Sequence, residues 1–378
     1  MQIRIIYYKG KSDATFIRTL SYAEGFVQNG ISVRLSFLLP PEQGWTMENN
    51  IGITQENLFE GCPLILKKFR PTVYFYSLCK LLRSIGKGDV LYFTLPFLNT
   101  IVAAFAKLRG AKFFMEFTEL PYYKINPGLL RYITSTSQLL AAKLADFVCV
   151  ISKGLADFYH HAGVSRIHVI NMFVDIERFK GAQVDSNDFQ QNLITYCGSV
   201  CNSKDGVDIL IKSFAIVHEK HPEARLRIIG TTSEMAMKSL QNLVKFSGVE
   251  EYVEFTGRVP FQNIPQLLKN SGILALARPS SAQAQYGFPT KLGEYLCTAR
   301  PVVITRTGEI DLFLKDGESC LFAKADDVND FAEKLNWCFE NYEDAVKIGQ
   351  NGSKVACTSF SALIETKKVL EEIRKIVN

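Results

Sequence analysis

Short apolar runs alternate with amphipathic ones along nearly the whole chain, and this alternation constrains the fold more than any single motif. Ile3–Tyr8, Val33–Leu38, Val90–Phe93, Lys112–Phe117 and Phe147–Ile151 read as buried strands. Between them, residues 14–29, 97–108, 129–145 and 153–161 carry helical spacing. Residues 180–191 are polar and aperiodic, which predicts a linker. The pattern then restarts, with strands expected at 193–197, 225–229, 252–255, 273–276 and 301–304. Helices are expected at about 206–219, 233–246, 263–269 and 289–298. Strand and helix in turn demand parallel sheets with crossover helices. The expected fold is therefore α/β, with two doubly wound domains at 1–180 and 181–358. An amphipathic helix within 359–378 is free to pack back over either domain, the N-terminal one being the expectation.

At 378 residues, two domains are the ordinary outcome. A hydrophobic share of 47% beside 21% charge excludes a disordered chain. No apolar run reaches the length of about 20 residues that spans a bilayer. The start, MQIRIIYYKG, reads as a strand entering a glycine turn rather than a leader. Nine cysteines without a CxxC pair point to a reduced, cytoplasmic protein. Charge divides unevenly. Residues 1–180 hold 21 Lys/Arg against 13 Asp/Glu (+8) and the remainder 22 against 25 (−3), giving the overall +5. The basic half suggests either an anionic partner or plain surface solubility. With no nucleic-acid motif present, the partner reading favours a membrane surface or a lipid-linked acceptor.

One stretch concentrates the chemistry, RPSSAQAQYGFPTKLGEYLCTARPVVI at 278–304. Gly287, Phe288 and Pro289 make a turn, with Pro289 suited to a first helical turn. Thr290 and Lys291 follow, so free N–H groups, a hydroxyl and an ammonium gather at one helix N-terminus, where phosphate binds well. Glu294 lies one turn on and can accept both hydroxyls of a ribose diol. An ordinary helix with a Pro start and an exposed Glu fits the same spacing. Gly198-Ser199-Val200-Cys201-Asn202-Ser203-Lys204-Asp205-Gly206, after the first strand of the second domain, supplies a partner loop. There Lys204, close to a helix start, would neutralise a diphosphate.

The first half offers weaker signals. Lys9-Gly10-Lys11-Ser12 has neither the G-x-G-x-x-G nor the Walker spacing. Glu116-Phe117-Thr118-Glu119 ends a strand, and of its two carboxylates Glu119 reads as the more reachable. The alternative for it is a capping carboxylate. Ser152 suits a helix cap. His160 and His161 read as surface residues. Residues 63–85 mix leucines and aromatics with Lys67, Lys68, Arg70, Lys80 and Arg83. They read as a core helix with a solvated basic face, or as a patch for a membrane interface.

Several segments, in order, resemble the retaining glycosyltransferases of family 4. They are VINMFVDIERF, YCGSVCNSKDGVDILIKSF, VEFTGRVPFQNIPQLLKNSGILALA, FPTKLGEYLCTARPVVIT with GEI, and KDGESCLFAKADD. The resemblance implies a GT-B fold of two Rossmann-like domains facing a cleft. It implies a donor that is a UDP- or GDP-linked sugar, and an acceptor that is a saccharide or a lipid-linked molecule in surface polysaccharide or glycoconjugate assembly. No cofactor is implied. Lys204 falls where the family's lysine meets the diphosphate, and Glu294 is the second glutamate of its E-x7-E motif, on the ribose. Gly10 falls on the glycine loop facing the donor, backbone around Gly287–Thr290 meets diphosphate and sugar, and Arg258 lies near the nucleotide.

Three positions depart from the family's pattern. Tyr286 stands where the first glutamate is usual, with Gln283 or Gln285 as amide substitutes. Ser199 replaces the arginine that often follows the glycine loop's Gly198. Glu119 occupies the place of a histidine after an N-domain strand. The implied chemistry is retaining transfer, with Lys204 and Glu119 in the catalytic set and with Lys9 and Lys291 as further candidate cations. No Asp-x-Asp occurs, in line with metal independence. A nucleotide-sugar epimerase and a nucleotide-binding subunit without activity are the alternatives. The expected location is cytoplasmic, with peripheral contact at the inner face of the cell membrane.

Overall fold

Every strand pairing among the described residues is parallel. The computed structural model describes residues 1–8, 14–40, 52–95, 98–121, 128–182, 184 and 187–377. The first unit comprises Met1–Asn171 with Ala362–Asn378, and the second Met172–Ser361. The segment 172–180, placed with the first half in the sequence reading, thus belongs to the second unit. Val174 N donates to the Phe360 carbonyl at 3.0 Å, and Met172 and Val174 pack against Gly293, which explains the shift.

In the first unit the strands are β1 (Gln2–Tyr7), β2 (Ser32–Phe37), β3 (Ile53–Asn57), β4 (Val90–Phe93), β5 (Lys112–Phe117), β6 (Phe147–Val150) and β7 (Ile167–Val169). They lie in the order β3-β2-β1-β4-β5-β6-β7. Two strands were not expected. β3, ITQEN, has no apolar alternation, and β7 is three residues long; both are edge strands, where apolar content is low. β3 is held instead by polar chemistry: buried Arg4 of β1 donates to Glu56 Oε2 at 2.7 Å and to Ser36 Oγ at 3.0 Å.

The core of this unit contains a charge. Arg18, on helix Ala14–Gln28, donates to both oxygens of Glu116 on β5 at 2.6 and 3.2 Å, and both side chains are buried. Tyr22 and Tyr92 add hydroxyl donors to the same carboxylate at 2.7 and 3.3 Å. Burial, and secondly the Glu116 charge, push both phenols well above their ordinary pKa, so both remain protonated donors. Stacked rings of Tyr92, Phe114 and Phe147 (centroids 4.9 and 5.0 Å apart) line the sheet beside it. Helix Ala362–Val377 closes the unit against helix Ala14–Gln28. Gly25 permits the approach, since a Cβ there would lie 2.6 Å from Thr366 Oγ1.

The second unit repeats the arrangement with β8 (Gln190–Cys197), β9 (Arg225–Ile229), β10 (Val253–Gly257), β11 (Ser271–Leu276), β12 (Val302–Thr305) and β13 (Leu321–Ala323), in the order β10-β9-β8-β11-β12-β13. Both sheets reverse direction beside their first strand, the doubly wound order. β8 begins at Gln190, so it takes the end of the expected linker.

Removing one partner of the Arg18–Glu116 pair leaves a buried charge uncompensated. Arg18→Met or Glu116→Leu should each lower the unfolding free energy by about 3–5 kcal/mol. The double substitution should recover most of that loss, measured by urea denaturation.

Candidate nucleotide site

In a doubly wound sheet, ligands bind outside the carboxyl ends of the strands where the order reverses. In the second unit that point lies between β8 and β11. β8 delivers Gly198. A Cβ on Gly198 would sit 1.6 Å from Lys291 Cε, so the glycine is what allows the lysine to cross the strand end. Lys291 Nζ then reaches Oδ2 of buried Asp205 at 2.7 Å. Tyr196 donates to the same oxygen at 2.8 Å, and burial, with Asp205 second, raises its pKa well above normal. Tyr295 completes the join by accepting from Cys197 N at 2.7 Å. Two residues of helix Thr290–Cys297 thereby fix that helix's N-terminus at the end of β8.

β11 delivers Arg278, whose side chain is only 1% exposed. Its Nε lies 3.4 Å from the Lys204 carbonyl and its Nη2 3.5 Å from that of Gln283, joining helices Asn202–Asp205 and Ala282–Tyr286. Gly206, at φ +62°, turns the chain between helices Asn202–Asp205 and Val207–Lys220. A Cβ there would meet the Ala277 carbonyl at 1.8 Å. Lys204, Arg278 and Lys291 thus share one strand-end region, with Asp205 as the buried counter-charge.

Glu294 occupies the next turn. Its Oε1 accepts from Arg178 Nη1 at 2.8 Å. Arg178 also donates to the Phe261 carbonyl at 3.0 Å and lies 3.3 Å over the Phe261 ring. Glu294 is only partly buried, and Oε2 makes no bond among the described residues. That oxygen keeps its capacity for a diol.

Other expected residues are placed as follows. Ser199 is exposed, with its carbonyl 2.7 Å from the Tyr196 hydroxyl. Thr290 is exposed, Pro289 is the N-cap one residue before the first turn, and Gly287 N donates to the Gln283 carbonyl at 3.1 Å. Phe288 lies in the stretch expected to meet the donor through its backbone. Its ring is buried against Phe313 and Phe360, so only its backbone is available to a ligand. Tyr286 is 37% exposed at the end of its short helix. Arg258 follows β10 at the same sheet end, two strands from β8, and is exposed. Glu119 lies just beyond β5 in the first unit, half-buried, while Glu116 is sequestered by Arg18. Gly10 and Lys9 lie outside the described residues. A cavity of about 680 Å³ between helices Val207–Lys220 and Val328–Glu340 opens beside Asp316, at the amino end of β13, away from these groups.

Asp205, Arg178 and Arg278 escaped the sequence reading as site residues. Each lies inside a quoted segment, yet no spacing marks a carboxylate as buried or an arginine as partnered to a helix fifty or more residues away.

Comparison with known proteins agrees with the geometry. Residues 191–341 match the family described as Glycosyl transferases group 1. Over that stretch the chain is similar to the group 1 glycosyl transferases. An uncharacterized glycosyltransferase of Methanocaldococcus jannaschii is 26% identical over 190 residues, 50% of this chain and 49% of that protein. The mannosylfructose-phosphate synthase of Agrobacterium fabrum is 25% identical over 179 residues, 46% of this chain and 38% of that protein. The chain thus spans half or less of the length of these relatives. Anabaena HepE, solved with UDP and glucose, superposes with a TM-score of 0.76 at 16% identity, covering 99% of this chain and 100% of that one. The two-unit α/β fold is that of the GT-B class.

Packing at the site sets thiol chemistry. Burial, and secondly Glu294, push the Cys197 thiol up to about 12, so near pH 8 it is protonated and unreactive. Exposed Cys79 and Cys357 should react promptly with a thiol reagent at pH 8. Mass-spectrometric mapping should find Cys197 labelled only after unfolding; prompt native labelling would contradict this packing.

Proposed function

We propose that the chain transfers a sugar from a nucleoside diphosphate donor to a saccharide or lipid-linked acceptor, with retention of anomeric configuration. The observation that carries the reading is the convergence of Lys204, Lys291, Arg278 and a helix N-terminus beside Glu294 at the second unit's strand reversal. As the glycosidic bond breaks, negative charge grows on the departing diphosphate and the sugar becomes cation-like. Fixed cations and helix-end N–H groups stabilise that charge, and they require no reorganisation as it forms. In this reading Lys204 and the helix start at Thr290 and Lys291 hold the diphosphate, and Glu294 Oε2 holds the ribose. Arg178 fixes Glu294 in place. The same residues supply the positive potential, without a metal being assigned. The sugar lies towards Gln283 and Tyr286, and Arg258 lies towards the base.

In retaining transfer the acceptor hydroxyl attacks the face that the leaving group vacates. A phosphate oxygen takes its proton, and Glu119 orients the acceptor or the sugar. A UDP donor is favoured over GDP because HepE, of similar fold, was solved with UDP and glucose. A role in surface polysaccharide or glycoconjugate assembly at the inner face of the cell membrane fits a lipid-linked acceptor and the basic first half.

A thermal-shift series with UDP, GDP, ADP and NAD tests the donor end. At a hundred times its dissociation constant the correct nucleotide should stabilise by about 2.7 kcal/mol, and NAD should not. Lys204→Ala should weaken that nucleotide by about tenfold to a hundredfold, the loss of one charge-assisted hydrogen bond, with the melting temperature of the free protein unchanged. Proton NMR of the product should show the donor's anomeric configuration; an inverted linkage overturns the retaining mechanism. Donor supplied alone should not isomerise, as an epimerase would require.

A further inference from the structure

The first unit carries a helical face unlike the rest of the chain. The connections β3 to β4, β4 to β5 and β5 to β6 all run in the same direction across the sheet. Right-handed crossovers therefore put helices Arg70–Ser84, Asn99–Leu108 and Leu129–Leu144 on one face. The helices adjoin in that order, and Thr100 Oγ1 donates to the Ser137 carbonyl at 2.9 Å. None of the three contains an aspartate or glutamate, in a chain that has 38 of them.

At the margin of this layer stands a knuckle, Pro63–Arg70, leading into helix Arg70–Ser84. It exposes Leu64 (82%), Ile65 (75%) and Phe69 (65%), and Phe75 on the next turns is 55% exposed. These are not loose side chains on an untied loop. Leu66 N donates to the Pro63 carbonyl at 2.9 Å, and Thr72 Oγ1 donates to the Phe69 carbonyl at 2.7 Å. Val73, Leu78 and Leu81 bury the opposite side of the helix. Lys67, Lys68 and Arg70 interleave with the apolar tips, and Lys80, Arg83 and Lys87 follow with no carboxylate between Gly61 and Gly88. Further along the layer, Leu129, Leu130 and Ile133 are exposed around Arg131.

We infer that this face docks on an anionic lipid surface, with the Leu64–Arg70 knuckle entering the headgroup region. Protein interfaces deplete lysine at their centres. Apolar tips set among cations match instead a surface with negative headgroups above hydrocarbon, where the tips bury and the cations stay at headgroup level. No described helix is long and apolar enough to cross a membrane, so the contact is peripheral.

The test is co-sedimentation of the whole chain with phosphatidylcholine vesicles, with and without phosphatidylglycerol, at physiological salt. The wild type should sediment with the anionic vesicles, lose binding as salt rises, and stay in solution with neutral ones. Lys67→Ala with Lys68→Ala should weaken partition roughly thirtyfold, from the contribution of each juxtamembrane cation. Ile65→Asp and, independently, Phe75→Ser should also reduce it, and the melting temperatures of all three variants should match the wild type because the sites are exposed. Equal binding to both vesicles, binding to neither, or unchanged binding in the folded variants overturns the inference. So does a concentration-dependent dimer that Ile65→Asp dissociates in the absence of lipid, which would make the face a contact between two copies.

Discussion

A parallel strand cannot be joined to its neighbour by a tight turn; the chain must cross back over the sheet first. Both units are built on that requirement. It places helices on both faces and buries the strands between them, which is why their sequences read as short unbroken apolar runs. It also determines where chemistry can occur. Winding outward from β8 in one direction and then in the other leaves the ends of β8 and β11 side by side, with their following loops turned apart. Gly198 and Arg278 stand at those two ends, and the charged groups collect around them.

The ion pairs in the molecule do different things. Arg18 and Glu116 are sealed from water, with two tyrosine hydroxyls completing the carboxylate's coordination. Such a pair fixes one arrangement of helix and strand and offers nothing to a ligand. Asp205 and Lys291 are asymmetric: the acid is buried while the lysine is partly open. The acid thus serves as an internal anchor for a cation held at the strand end. Arg178 and Glu294 are both partly open, and among the described residues the pair leaves one carboxylate oxygen unengaged. Graded exposure separates a structural pair from an anchor and an anchor from a binding group.

The parts of the fold visible in the sequence are those governed by periodicity. The central strands of both sheets and most of the long helices, though not helices Val328–Glu340 and Tyr342–Ser359, follow from apolar spacing alone. β3, β7 and β13 do not, because edge strands are short or half-solvated and carry little pattern. At the site, glycine spacing and the Pro-Thr-Lys run pointed to Gly198, Lys204, Lys291 and Glu294, since backbone approach and helix-end charge are local properties. Arg178 meets Glu294 across 116 positions of sequence, and Asp205 is buried only because Tyr196 and Lys291 converge on it. Phe288 divides its roles: its backbone lies in the stretch read as a ligand contact, while its ring packs against Phe313 and Phe360, which no local spacing announces.

The helix Ala362–Val377 has a consequence for assembly. The chain leaves the first unit after Asn171, builds the whole second unit, and returns beside its point of departure, where Val174 bridges Ser361. Glu365 on the returning helix accepts from Asn171 N at 2.9 Å. Until the intervening segment folds, that helix is tethered to its berth only through a long flexible loop, and the entropy of closing the loop opposes docking. Folding of the insert brings its two ends together and removes that obstacle. Completion of the first unit is thereby coupled to folding of the second, and the surface of helix Ala14–Gln28 that receives the returning helix is the part of the first unit left uncovered longest during synthesis.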